Sequence, residues 1–406
     1  MAADDEKVRA AVVGIGGRGS WAAKQLAQHA SYELVALCDV NAGKLEFFKA
    51  KHGLEHVAGV TSIEQCLRDM HVDAVVVTTH DAAHADVVIP ALKAGKFVFL
   101  EKPLDVTAER CRDIVEADRA AGGRTFVGHN LRFAPLYAAV KRMLDEGAVG
   151  RVLTIQADEF YDGGRGYFRR WNRLRQFGAG LWITKACHDF DLLHWLSGRQ
   201  PLAVYAIDAL SYYRARDDAP LYCADCDRKD TCPDGFYFIK ERAGSREKLL
   251  SEVAAEHGAP RPDLCLYNSD KDTFDHGIAT VELAGGVLAT YTCNVVAGFS
   301  DRRLRVAGTA GTIDGALHSE TILLRKRDPS ATEEIPLAIA GGGHGGGDLR
   351  LFDEFCEFVR GRGEPGCRPA EAMVAVLMGL AATRSADEHR RVEMSEFGPA
   401  PPDADP

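Results

Sequence analysis

The stretch that most limits how this chain can fold is Ala11 to Ser20, AVVGIGGRGS. A β-branched apolar segment there runs into Gly14-x-Gly16-x-x-Gly19, and a helical pattern follows at once. Gly14 permits the tight turn, Gly16 lets backbone N–H groups approach a pyrophosphate, and Gly19 lets the helix pack closely on its strand. The positive end of the helix dipole then faces the phosphates. A second apolar segment, Glu33 to Cys38, ends in Asp39, twenty residues beyond Gly19. A carboxylate there can accept hydrogen bonds from ribose hydroxyls and repel the extra phosphate of NADP. No Arg or Lys follows before Lys44, so NAD is the expected coenzyme.

A length of 406 residues exceeds one hydrophobic core and predicts two domains. The net charge of −10 argues against nucleic acid or an anionic membrane as partner and favours a small ligand. The acidic start lacks the apolar run of a signal peptide, and no segment reaches membrane-spanning length, so a cytoplasmic protein is expected. Eleven cysteines, several inside strand or helix patterns, suit reduced thiols in a reducing compartment.

From Val8 to about Gly128, short apolar runs alternate with amphipathic helical patterns. The expected strands are Val8–Val13, Glu33–Cys38, Ala74–Thr78, Phe97–Leu100 and Thr125–Val127. This is the pattern of a doubly wound parallel sheet. After Asn130, strand-like runs follow one another with few helices between, which implies a largely antiparallel sheet. Helical patterns at Leu351–Val359 and Ala370–Glu388 close the chain. The expected division is therefore 1–130, 131–396 and a disordered Pro- and Asp-rich tail over 397–406.

Phe97–Leu100 leads directly into Glu101-Lys102-Pro103, which sets Lys102 at the carboxyl end of a strand, where ligands of open α/β sheets bind. An ammonium there can stabilise the oxyanion that develops as hydride leaves a substrate, although a strand-end lysine paired with Glu101 has the same sequence. Farther on, a glycine-rich entry at Gly178 opens an amphipathic helix on which Lys185, His188 and Asp191 recur every three residues and share a face. A histidine oriented by a carboxylate is a suitable base for an alcohol proton, while a solvated polar face explains the same spacing. Between Gly163 and Gly178 arginines alternate with aromatics, and Trp171 is a candidate stacking platform for a sugar ring. Gly341 to Asp348 is a flexible loop whose His344 or Asp348 could close over a ligand. Cys223-x-x-Cys226-x5-Cys232, with Cys265 beyond, suits either a structural zinc or free thiols.

These segments together resemble the Gfo/Idh/MocA family, which includes glucose–fructose oxidoreductase and inositol dehydrogenase. GIGGRG, the block from Asp73 to Leu104, GHNLRF from Gly128 to Phe133, the His188–Gly198 helix and Arg305 to Gly315 match in order, and coverage runs from about Val8 to Glu393. The resemblance implies an N-terminal Rossmann domain, a C-terminal α/β domain with a broad open sheet, homo-oligomers built on that sheet as dimers or tetramers, and NAD(P)-dependent chemistry at a sugar or cyclitol carbon. It makes Lys102 and His188 the catalytic pair, with Lys185 a further candidate, and it gathers Thr78, His84, Glu101, Asn130 and Arg132 around the cofactor or pocket. Gly17 and Arg18 complete the cofactor turn, while Thr184 and Asp191 fall beside the substrate. Many members carry an Asp four residues before the catalytic His, where this chain has Thr184, which cannot take a proton at neutral pH. Two other readings stay open: a glycosidase that retains its NAD and oxidises its substrate transiently, and a sensor of the same fold without turnover.

Overall fold

The computed structural model describes residues 6–243, 249–328, 332–338, 343–399, 401 and 404. Its first sheet contains β1 (Val8–Val13), β2 (Tyr32–Cys38), β3 (Ala58–Val60), β4 (Ala74–Val77), β5 (Phe97–Leu100) and β6 (Thr125–Val127). The strands lie in the order β3-β2-β1-β4-β5-β6, and every pairing is parallel. The winding direction reverses between β1 and β4, so a crevice opens at their carboxyl ends. The sequence pattern anticipates five of these strands. β3, with the sequence AGV, is too short and too poor in large apolar residues to announce itself. The first helix spans Gly17–Gln28, beginning ahead of the apolar pattern at Trp21, because the GRGS segment turns helically without burying a periodic face.

The second sheet contains β7 (Val152–Phe160), β8 (Pro201–Ala209), β9 (His276–Leu283), β10 (Val287–Asn294), β11 (Asp301–Gly308), β12 (Gly311–Ala316), β13 (Thr321–Lys326), β14 (Thr332–Pro336) and β15 (Val392–Glu393). Their order is β14-β13-β12-β11-β7-β10-β9-β8-β15. Only β7 and β10 pair in parallel; the other neighbours are antiparallel. Burial alternates residue by residue along β9, the signature of a sheet covered on one face. Helices Cys187–Ser197 and Pro369–Glu388 contribute to that cover. Trp182, Phe190 and Tyr291 fill the space between.

The chain then returns to the first domain. Helix Leu351–Val359 follows eight of the nine strands of the second sheet in sequence, yet Phe352, Phe355 and Phe358 share a core with Phe99 and Phe126. The Phe355 ring centre lies 5.6 Å from Phe99 and 6.0 Å from Phe126, both edge to face. Of the expected tail, Ala404 is buried and its carbonyl accepts a hydrogen bond from Gln200 Nε2 at 3.1 Å. Residues 400, 402, 403, 405 and 406 lie outside the described residues. Replacing Phe355 by Ala leaves a cavity among four aromatic rings and should cost about 3–5 kcal/mol. The measurement is a fall in the urea midpoint at unchanged slope.

Candidate active site

The glycine turn is shaped by what surrounds it. Gly14 takes φ +92°, and a Cβ there would sit 2.7 Å from the Thr79 amide nitrogen. A Cβ on Gly19 would meet the Gly14 carbonyl oxygen at 1.9 Å, so these two positions require glycine. Thr78 clasps the turn, its hydroxyl donating to the carbonyls of Val13 at 3.0 Å and Gly14 at 2.8 Å. Gly16 differs, since a Cβ there meets nothing within 4 Å. Gly16 also caps the first helix without any side-chain hydrogen bond, and Gly17 is nearly as open. Uncapped N–H groups facing open space fit a phosphate. Asp39 ends β2 as expected, but its carboxylate is engaged: Oδ2 accepts from the Ile15 amide at 2.7 Å and pairs with Lys44, and Oδ1 accepts from the Asn41 amide at 3.0 Å. Lys44, five residues on, thus folds back to the acid expected to discriminate between NAD and NADP.

Arg18 binds three segments together. Its guanidinium donates to Glu101 Oε1 at 2.8 Å and to both oxygens of Asp348 at 3.1 Å, and it stacks over Trp21. Burial works against its charge, but the two carboxylates win and raise its pKa. Asp348 also accepts from Asn130 Nδ2 at 2.7 Å and lies 3.0 Å from His344 Nδ1. The described part of the second glycine-rich loop is thereby tied to Arg18 of the glycine turn and to Asn130. His84 is wholly buried, with Nδ1 2.8 Å from the Pro103 carbonyl, which ties it to the loop after Lys102.

Lys102 reaches across to the other domain. Its ammonium donates to the Thr184 carbonyl at 3.0 Å, one helical turn before His188. His188 is 2% exposed, and its Nδ1 has no hydrogen-bond partner among the described residues. Burial first, then the charges of Lys102, Arg302, His344 and His129, hold its pKa well below the usual imidazole value. The ring is thus neutral at physiological pH. Thr184 is buried, its hydroxyl accepting from Asn172 Nδ2 at 3.2 Å, and Trp171 packs beside Gly178 and His80 at the same corner.

The three residues expected on one helix face go separate ways. Lys185 pairs with Glu159 Oε1 at 2.7 Å and sits 3.8 Å over the Tyr161 ring, in a buried cluster that also holds Arg302 and Asp189. Asp191 takes a two-pronged bond from Arg132 at 2.9 and 2.6 Å, and Arg132 donates further to Glu371 at 2.6 Å. Asp191 and Arg132 are both buried, and each neutralises the other. Asp191 also does not orient His188, since its nearest imidazole is His129, with Nδ1 at 3.5 Å.

Residues that sequence reasoning missed are Asp81, His129, Glu159 and Arg302. Only Asp81 left a local signal, being an acid in the loop just beyond β4. The four cysteines line one narrow cavity. Among the described residues, however, the one group of His, Cys, Asp and Glu with ligand atoms within 4.8 Å of one another is His129, Asp191 and Cys367. Tetrahedral zinc needs sulfurs about 3.8 Å apart, so of the two readings of this cluster the zinc staple gains no support from this geometry. Arg132 already occupies the Asp191 carboxylate, which leaves the other group to a guanidinium rather than a metal.

Residues 8–129 match the profile of an oxidoreductase family with an NAD-binding Rossmann fold, and residues 141–394 match its C-terminal α/β domain. The chain belongs to the Gfo/Idh/MocA oxidoreductase family, and it is an NAD(P)-dependent dehydrogenase of that class. It is 30% identical to the Bacillus subtilis oxidoreductase YteT over 352 residues, covering 80% of this chain and 82% of YteT. It is 33% identical to inositol 2-dehydrogenase of Salmonella typhimurium over 191 residues, 47% of this chain and 54% of that enzyme. The chain thus spans about half the length of that relative. The WlbA dehydrogenase of Bordetella pertussis, solved with NADH and UDP-GlcNAcA, shares the fold at 22% identity and a TM-score of 0.68, with 96% of this chain and 99% of that one covered.

The two kinds of glycine should separate on substitution. Gly16→Ala is expected to leave thermal stability unchanged while weakening NADH binding at least tenfold, because the methyl enters the space open to phosphate. Gly19→Ala should lower both, because it displaces the Gly14 carbonyl. Fluorescence titration with NADH and thermal melts distinguish the two outcomes.

Proposed function

We propose that this dehydrogenase transfers hydride between nicotinamide and a hydroxyl-bearing carbon of a sugar, sugar derivative or cyclitol, with NAD as the preferred coenzyme. The observation that carries this reading is Lys102 Nζ reaching the Thr184 carbonyl at 3.0 Å, which sets a cation from the first domain one turn from a neutral imidazole of the second. The nicotinamide, when bound, supplies the hydride acceptor or donor. Lys102 donates to the substrate oxygen and stabilises the alkoxide character that builds as hydride leaves. His188, kept neutral by burial and by Lys102, accepts a hydrogen bond from the hydroxyl and orients it. Names among the relatives, inositol 2-dehydrogenase above all, support the polyol class. The engagement of Asp39 by Lys44 makes the preference for NAD the point to measure first.

The same reading includes a homo-oligomer. Leu202, Tyr205 and Ile207 on β8, Ile278 on β9 and Leu288 on β10 are about half exposed. Ile207 pairs with Ile278 across the ladder, so they form a patch on the uncovered face of the second sheet. Patches of this kind mark association surfaces, and a second copy of the chain presenting the same face would bury it. We place the protein in the cytoplasm, a reading supported by eleven unpaired cysteines. No helix among the described residues is long and apolar enough to cross a membrane.

Purified protein incubated with NAD or NADP and a panel of sugars and inositols should change nicotinamide absorbance with at least one polyol. Glycoside cleavage without net reduction would favour the coenzyme-retaining alternative. Lys102→Ala should lower turnover by about 10²–10⁴ with NADH affinity nearly intact, and retained turnover removes that lysine from the chemistry. The double change Ile207→Lys with Ile278→Lys should convert the oligomer to a folded monomer by light scattering.

A further inference from the structure

Asp81 is an acid without an assigned task in this site. It begins the turn Asp81–Ala83 after β4, at the carboxyl edge of the first sheet. It is 5% exposed, and its Oδ2 is enclosed without a hydrogen-bond partner among the described residues. A methyl group on Gly178 would lie 3.5 Å from that oxygen, 3.4 Å from Thr184 Cβ and 3.1 Å from the Trp171 ring. Asp81 and Thr184 therefore meet at one corner, and Lys102 reaches the Thr184 backbone at that corner. Within the dehydrogenase reading, an acceptor is missing. Thr184 cannot take a proton, and a proton is disfavoured on His188 by burial first and then by four cationic or potentially cationic neighbours. Lys185 is spent on Glu159.

We propose that Asp81 is the proton-holding group of the site, taking up the substrate's hydroxyl proton by way of Lys102. In the oxidising direction the substrate O–H bond breaks, its electron pair becomes part of C=O, and the hydride leaves the same carbon for oxidised nicotinamide coenzyme. The proton passes to Lys102 Nζ as Lys102 gives one N–H proton to the ionised Asp81 carboxylate. Lys102 ends as it began, and Asp81 gains an O–H bond. The reverse steps supply the proton for reduction. The groups facing Asp81 suit it to exchange protons near neutrality: burial pushes its carboxyl up to about 8, Lys102 and the Thr184 hydroxyl pull it down, and Asp105 and Glu101 push it up. A carboxyl held wholly ionised could not act as donor, and one never ionised could not act as acceptor.

This inference rests on the dehydrogenase reading, so the test needs a readout that is independent of turnover. Because the folded state keeps a proton that the unfolded state releases from about 3.8 upward, stability falls as pH rises between about 4 and 8. Asp81→Asn should remove that slope, and its melting temperature should gain on the parent's up to pH 8 and no further. Infrared spectra of the full chain should show a protonated carboxyl band that fades with a midpoint near pH 8 and is absent in D81N. With a polyol that is turned over, oxidation should rise with pH through about 8 and reduction should fall. D81N should lose that dependence and about 10²–10⁴ in rate, with NADH affinity kept within twofold. Absence of the band, or an unchanged pH profile in D81N, overturns the assignment. An intact band in a protein that turns over no polyol overturns the dehydrogenase reading and the acceptor role with it.

Discussion

A single ammonium crosses the cleft, and the remaining features of the site are arranged about it. Lys102 stands just beyond the end of a largely buried strand, and its Nζ meets the Thr184 carbonyl of the other domain. This contact sets the distance between the sheet edge and the His188 helix without any covalent tie. It also places a positive charge where it depresses the basicity of His188 and partly offsets the cost of burying Asp81. An uncharged residue at position 102 would relieve part of what burial and the other cations do to His188 and leave Asp81 still harder to ionise. The cation thus fixes geometry and protonation at once.

Buried charge in this protein falls into two kinds. Arg132 with Asp191 and Glu371, and Arg302 with Glu159 and Asp189, are closed sets in which each charge is neutralised by a partner at hydrogen-bond distance. Breaking one partner leaves an uncompensated charge in a low-dielectric interior, which is why such sets act as rivets more than as sources of net stability. Asp81 and His188 belong to neither set, and among the described residues each has a buried atom without a hydrogen-bond partner. Groups left short in this way are costly to a fold and are found where chemistry needs an open coordination position.

Much of this architecture was legible because its signals are local. The Gly14 to Gly19 turn, the strands β1, β5 and β6, and the ends of the Ala42–His52 helix need only propensity and periodicity. β12, with the sequence GTIDGA, and β14 were not legible, because two glycines weaken one and three polar residues disguise the other; each is a strand only through its neighbours' hydrogen bonds. The site divided in the same way. Lys102 and His188 could be named from their elements, but the fates of Lys185 and Asp191 could not. Spacing put them on one face, whereas Glu159 from β7 and Arg132 from the loop after β6 decided where each side chain went. The partnership of Lys44 with Asp39 was hidden for the same reason, since nothing in a linear spacing shows a side chain folding back.

The return of Leu351–Val359 to the first domain bears on how the chain matures. Phe99 and Phe126 are complete early in synthesis, but the rings that cover them lie more than two hundred residues later. As the chain leaves the ribosome, the nascent Rossmann unit therefore presents a greasy, half-finished face while eight of the nine strands of the second sheet are being made. The two domains cannot ripen one after the other like beads on a string. Quality control of this protein, and the fate of any prematurely stopped product, turns on the arrival of one short amphipathic segment that follows most of the second sheet.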